Sequence, residues 1–137
     1  MSESRLKNLR GIRQSQESLD DLEEAADSLD WRCIVLDGAA VVDKASFLEA
    51  CSESFGLPEW FGMNWDALEE CLAELELGVD GLVVLWSEWG EFAEEAPQDF
   101  ATAVDVLRGA VKTWAADGVF GGVLLVGEGA KVDIDEL

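Results

Sequence analysis

The chain has 137 residues, of which 49% are hydrophobic, a length and composition typical of one folded domain with its own core. It contains no histidine, which excludes histidine-based catalysis and a zinc site with histidine ligands. Thirty acidic residues against nine basic ones give a formal net charge of −21 at pH 7. Such a surface disfavours nucleic acid and anionic lipid as partners and favours a basic partner.

The cellular setting is indicated by two further features. No apolar stretch approaches the ~20 residues of a membrane span, and the N-terminus lacks the apolar run of a signal peptide. The three cysteines form no CxxC pair, which fits free thiols in a reducing compartment. We therefore expect a cytoplasmic protein with no membrane contact. We also expect it to bind no metal and no cofactor.

Residues 1–30 are expected to form an N-terminal extension, a polar basic arm followed by a short amphipathic helix over about 19–29. Ser18 with Asp21 three residues later is typical of a helix start. Docking on the main domain, dimerisation and a lack of ordered structure all stay open for this extension. Nucleic-acid binding is only weakly indicated, because no aromatic residue accompanies the basic ones. The basic residues of the arm are Arg5, Lys7, Arg10 and Arg13.

Residues 31–126 alternate apolar runs with helical periodicities, which predicts an α/β domain. Strands are predicted at 31–36, 82–86 and 123–126. Helices are predicted after Asp43, from Asn64 to about Leu75, around 87–94, and from Pro97 to about 117. The alternation implies a small three-stranded parallel β-sheet with packed helices, joined by right-handed crossovers. Residues 127–137 are expected to form an acidic C-terminal tail.

The predicted helix after Asn64 carries acids on one side only. At 100° per residue, Asp66, Glu69, Glu70 and Glu74 fall within an arc of about 140°. No basic residue lies between positions 45 and 107 to neutralise them, although like charges at this spacing cost a few tenths of a kcal/mol per pair. A face that tolerates this repulsion indicates an external basic partner. The opposite side is apolar: Trp65, Leu68, Cys71, Leu72 and Leu75.

The loop that enters this helix, residues 57–64, contains a proline and two adjacent aromatic residues. A stiff loop beside an anionic helix face is a suitable binding edge, and tryptophan is a favoured interface anchor. We expect Trp60, which follows Pro58 and Glu59, to be exposed. We expect Phe61 to belong to the core.

The segment FGLPEWFGMNWDALEECLAEL, residues 55–75, resembles the signature of the barstar family, intracellular protein inhibitors of small secreted ribonucleases. The fixed offsets of LPEWFGxNWDALxxCL make this resemblance specific. The order of elements from Trp31 to Val126 agrees with it, so the resemblance leaves out the extension and the tail. It implies a barstar-like fold in which the loop and the second helix plug the ribonuclease active site.

The resemblance also implies roles for individual residues. Glu70 matches the acid that takes the place of an RNA phosphate, and Asp66 matches a second acid directed at basic groups of the enzyme. Trp60 stands at an aromatic position, usually tyrosine, that packs over the catalytic site. Gly62 and Asn64 match residues that shape the binding edge. The expected partner-binding residues are therefore Trp60, Gly62, Asn64, Asp66, Glu69, Glu70 and Glu74.

Three departures from the family pattern favour a different ribonuclease target and leave open a target that is not a ribonuclease. Glu69 occupies a position that is often apolar or aromatic, and Met63 one that can be acidic. A further acid on the last long helix has no counterpart, since the nearest residues are Gly109 and Thr113.

The function expected from these residues is inhibition of a small basic ribonuclease by a free monomer that forms a 1:1 complex. The alternatives are an inhibitor or immunity protein for another basic nuclease, and an acidic mimic of nucleic acid without a defined enzyme target. A purely structural role, with an acidic surface that serves only solubility, also stays open. An enzyme using Asp66 and Glu70 as an acid–base pair or as ligands of Mg²⁺ or Ca²⁺ is disfavoured, because both lie on one convex helix face. No EF-hand, P-loop or HExxH motif occurs, so we expect no catalytic residues.

Overall fold

The computed structural model describes residues 2–127, 129 and 132–137. Six helices and four strands make up this part of the chain. The helices are α1 (Ser2–Lys7), α2 (Leu19–Ser28), α3 (Lys44–Phe55), α4 (Trp65–Ala73), α5 (Gly90–Glu95) and α6 (Pro97–Ala116). The strands are β1 (Arg10–Ser15), β2 (Arg32–Asp37), β3 (Gly81–Ser87) and β4 (Phe120–Val126).

The four strands form one parallel sheet in the order β1-β4-β3-β2. The α/β class and the parallel pairing are confirmed, but the expected count of three strands is wrong. The additional strand, β1, comes from the segment expected to be a polar basic arm, and it pairs with β4 from Arg10 to Ser15. The N-terminal segment therefore supplies an edge strand to the sheet.

The composition of β1 explains why its sequence does not predict a strand. Only Ile12 and Ser15 are buried, so RGIRQS lacks the apolar alternation that marks a half-buried strand. Strand β4 stabilises β1 here through close pairing of the two backbones rather than through side-chain packing. A Cβ atom on Gly122 of β4 would collide with the carbonyl oxygen of Gly11. Glycine thus lets the two backbones approach where a side chain would hold them apart.

Helices cover both faces of the sheet, and alternate residues of the central strands divide between two cores. Val83, Leu85 and Leu124 pack against α1 and α2. Val84 and Trp86 belong to the larger core, which includes residues from α3, α4, α5 and α6. Central strands buried on both faces account for the nearly continuous apolar runs in β3 and β4. In the part of the chain that the structure describes, no helix is long and apolar enough to cross a membrane.

The predicted helix starts at Ser18, Asp43 and Asn64 are confirmed as N-caps. Each side chain accepts a backbone N–H from three residues further on. Asp43 also forms a capping box with Ser46, and these hydrogen bonds hold the pKa of the Asp43 carboxyl below its usual range. The helix after Asn64 ends at Ala73, slightly before the predicted end.

The end of the chain lies along the outer edge of β1. The backbone N–H of Gln14 donates to the carbonyl of Asp135 (2.9 Å), and Leu137 donates to the carbonyl of Gln14 (2.8 Å). The Gln14 side chain also donates to the carbonyl of Ile134 (2.6 Å). Residues 132–137, expected to belong to an acidic tail, thus satisfy backbone groups that an edge strand would otherwise expose.

The three thiols are expected to react slowly in the native protein. Burial, with a smaller contribution from the Glu23 carboxylate, raises the pKa of Cys33 to about 11. Burial likewise raises the pKa of Cys51 and of Cys71. A raised pKa lowers the fraction of reactive thiolate, so near neutral pH we expect alkylation at least about tenfold slower than in urea. Mass spectrometry after timed iodoacetamide treatment measures this, and rapid native labelling of all three would contradict the core described above.

Candidate functional site

The loop before α4 presents Trp60 to solvent from a fixed turn. The backbone N–H of Phe61 donates to the carbonyl of Pro58 (2.9 Å), which closes the turn around Glu59 and Trp60. The Phe61 side chain is 7% exposed and packs in the larger core, whereas Trp60 is 74% exposed. Both sequence-based expectations for these aromatic residues are confirmed. A large ring is therefore held in water next to a buried anchor.

The next turn connects this loop to the helix through Asn64. Its side-chain carbonyl accepts the backbone N–H of Ala67 (2.8 Å), and its amide donates to the carbonyl of Gly62 (3.2 Å). A Cβ atom at Gly62 would lie 3.2 Å from the Asn64 amide nitrogen, so glycine leaves room for the cap. Met63, between them, adopts a left-handed backbone (φ 50°). The loop thus enters α4 by a specific path rather than as a loose connection.

The underside of α4 is fixed against the larger core. Leu68 and Leu72 are fully buried, and Cys71 is buried beside them. The carbonyl of Leu72, near the C-terminal end of the helix, accepts the indole N–H of Trp114 from α6 (2.9 Å). The same carbonyl, in the last turn of α4, also accepts the backbone N–H of Leu75 (3.4 Å). Packing and the indole bond together set the orientation of the helix.

The opposite side of α4 is the acidic face, which comprises Asp66, Glu69, Glu70 and the C-cap residue Glu74. All four side chains are exposed. The two salt bridges formed within the described ranges are elsewhere, between Arg13 and Asp135 and between Arg108 and Asp105. The acidic face therefore projects four carboxylates into water with no basic partner among the described residues.

The thiol of Cys71 lies close enough to this face to respond to its charge. Burial is the main cause of its raised pKa, and the carboxylates of Glu74 and Glu70 raise it further. Both carboxylates disfavour a second negative charge at the sulfur atom. The acidic face thus contributes to the raised pKa of a thiol on the buried side of its own helix.

The structure brings the seven predicted residues into one continuous stretch, the loop 57–64 and the helix that it caps. Two side chains at this site were not predicted to take part. Met63 is 41% exposed within the loop. Its position between Gly62 and Asn64, both predicted to bind the partner, could have indicated that it belongs to the same surface. The Lys44 ammonium lies over the Trp65 ring, 5.7 Å from its centroid. Lys44 is on α3, so spacing within the loop and helix could not indicate it.

The described residues contain no group of three or more cysteine, aspartate or glutamate side chains arranged to hold a metal ion. The acids of α4 instead share one solvent-facing surface. The partner-binding roles of the seven residues stay predictions.

Comparison with known families identifies the chain. A family model described as Barstar (barnase inhibitor) matches residues 31–125, more than half of the sequence. The match includes the loop and α4, and it leaves out α1, β1 and α2. No curated protein gives a match to this sequence. Members of the matched family are inhibitors of barnase-type ribonucleases. This chain belongs to the barstar family.

Proposed function

We propose that this protein is a cytoplasmic inhibitor of a small basic secreted ribonuclease, acting as a monomer that forms a 1:1 complex. It blocks the enzyme's active site with the acidic face of α4 and with the loop 57–64. One observation carries the proposal, the set of four exposed carboxylates that have no basic partner in the described chain and that stand on a buried, hydrogen-bonded underside.

The mechanism follows from the charge that such an enzyme must carry. A ribonuclease binds RNA through lysine and arginine side chains gathered in a cleft, and these cations repel one another when the cleft is empty. Carboxylates on a fixed helix replace the RNA phosphates and form charge-assisted hydrogen bonds with those cations. Because α4 is already ordered, little conformational entropy is lost on binding. The acidic face therefore competes directly with the substrate.

Trp60 complements the charges with apolar contact area. Trp60 is largely exposed in the unbound protein, and the neighbouring Phe61 anchors the loop in the core. A rigid aromatic side chain at the edge of a charged patch has the character of an interface hot spot. We infer that the ring covers the enzyme's active site while the carboxylates occupy its cationic groups.

The primary test is titration of the protein into assays of small basic microbial ribonucleases, with basic deoxyribonucleases measured in parallel. The expected result is stoichiometric loss of ribonuclease activity with no effect on the deoxyribonucleases. Inhibition of the deoxyribonucleases alone would instead favour the alternative, an immunity protein for another class of nuclease.

The substitution Glu70→Gln is expected to weaken ribonuclease binding by roughly tenfold to a hundredfold, because one charge-assisted hydrogen bond is lost. The melting temperature should stay equal or rise slightly, since repulsion from Asp66 and Glu74 is relieved. Calorimetry of binding and of unfolding measures both effects. Glu24→Gln on α2 is the matched control, an exposed helix acid on the other side of the sheet. Equal effects of the two substitutions would remove Glu70 from its assigned role.

The substitution Trp60→Ala is expected to separate binding from folding. Its ring is largely exposed, so we expect the free energy of unfolding to change by no more than about 0.5 kcal/mol. Binding to the ribonuclease should weaken by about 30-fold or more, as for a central aromatic anchor. Phe120→Ala provides the control, since Phe120 is exposed (56%) but lies on β4. Undiminished binding by the Trp60 variant would contradict the proposed contact.

Association with the ribonuclease is expected to depend steeply on salt. A net charge of −21 attracts a basic enzyme over long distances, and added salt screens that attraction. Stopped-flow measurements should show the association rate constant falling by about tenfold or more between low salt and about 0.5 M, with a smaller change in dissociation. An association rate that is independent of salt would argue against electrostatic steering.

A further inference from the structure

A second surface of the protein has the opposite charge. β1, α6, the start of β4 and the C-terminal segment line an open cavity of about 720 Å³. This volume is within the range of sites that bind small organic molecules. None of the residues predicted to bind the ribonuclease lines it. The cavity is called the basic groove below, after Arg10, Arg13, Arg108 and Lys112, which line it.

The concentration of positive charge in the basic groove is the first observation that needs an explanation. Four of the nine basic residues of the chain meet there, although they come from two distant segments of the sequence. Two carboxylates, those of Asp133 and Asp135, also line the groove, so the lining has an excess of positive charge. In a chain of net charge −21 such a local excess favours an anionic ligand.

Not all of these cations are neutralised within the protein. Arg13 pairs with Asp135 (3.1 Å), and Arg108 lies 3.4 Å from Asp105 on the same helix. Lys112 is exposed and forms no ion pair with any described residue. Lys112 also lies about 160° around α6 from Trp114, at 100° per residue, which directs it away from the contact with α4. Its ammonium group is therefore available to a ligand in the groove.

The second observation is an aromatic platform beside these cations. Phe120 lines the groove and is 56% exposed, and the Arg10 guanidinium lies 5.0 Å from its ring centroid. Arg10 is held there by hydrogen bonds to the carbonyls of Lys7 and Leu9. A guanidinium above an exposed aromatic ring offers a cationic and aromatic surface against which a planar base can pack. Ile12 and Val111 add apolar surface to the same cavity.

From these features we propose that the basic groove binds a mononucleotide. The phosphate group, which carries about −1.5 to −2 charges at pH 7, is held by Lys112 and Arg108, and the base stacks on the platform of Phe120 and Arg10. A free nucleotide fits both the volume and the mixed lining, whereas a long nucleic acid would be repelled by the acidic remainder of the surface. The proposal does not depend on the proposed function, because it uses a separate surface.

Calorimetric titration of the full chain with AMP, adenosine and inorganic phosphate tests the proposal. At about 0.1 M salt the distant acids are largely screened, since the Debye length is about 10 Å. We expect AMP to bind with a dissociation constant below about 1 mM, and adenosine and phosphate to bind at least about tenfold more weakly. No binding of AMP, or equal binding of phosphate alone, would overturn the proposal. Tighter binding of a single-stranded oligonucleotide than of AMP would overturn it in favour of an RNA site.

Two variants assign the binding to the groove. Lys112→Gln is expected to weaken AMP binding by about tenfold through loss of a charge-assisted contact. Phe120→Ala should also weaken it, while leaving the affinity for inorganic phosphate unchanged. The matched control is Lys44→Gln, which removes the same charge from a basic residue that does not line the groove. Equal losses in the Lys112 and Lys44 variants would show a general charge effect and would overturn the assigned site.

Discussion

The arrangement of α4 depends on a balance between charge repulsion on one side and burial on the other. The acidic face contains three like-charged pairs at helical spacing, Asp66–Glu69, Asp66–Glu70 and Glu70–Glu74, which together cost on the order of 1 kcal/mol. Burial of Leu68 and Leu72 contributes about 1.5–3 kcal/mol for each side chain. The packing is therefore strong enough to keep the helix in place while its charges stay unpaired. Because the burial energy exceeds the repulsion energy, α4 can hold an unpaired anionic surface in a fixed position.

The fold could be predicted from the sequence wherever a strand is buried on both faces or a helix begins at a cap. β3 and β4 have apolar runs that are visible without any structure, and Asp43 and Asn64 start their helices as expected. β1 could not be predicted, because its stability comes from backbone pairing with β4 and from the C-terminal segment on its other side. These partners lie more than a hundred residues away, so no local pattern in β1 reveals them.

The candidate site could be predicted more fully than the fold, since all seven of its residues lie within one loop and one helix. Helical periodicity is enough to place the acids on one face, and the exposure of Trp60 follows from its polar neighbours. The contacts from other elements that hold this segment in place could not be predicted from the sequence. The hydrogen bond from Trp114 to Leu72 and the position of Lys44 over Trp65 depend on tertiary packing of α6 and α3.

Helix α6 separates two surfaces of opposite charge. On one side Trp114 holds the helix that carries the acidic face, and on the other side Lys112 lines the basic groove. Because attraction between exposed charges falls off over about 10 Å at 0.1 M salt, a ligand at either surface responds mainly to its own neighbours. A basic protein and a small anion can therefore be recognised by the same acidic chain. In the proposed function the net negative charge attracts a basic protein partner, most strongly at low salt, whereas the proposed groove ligand responds to the cations that line the groove.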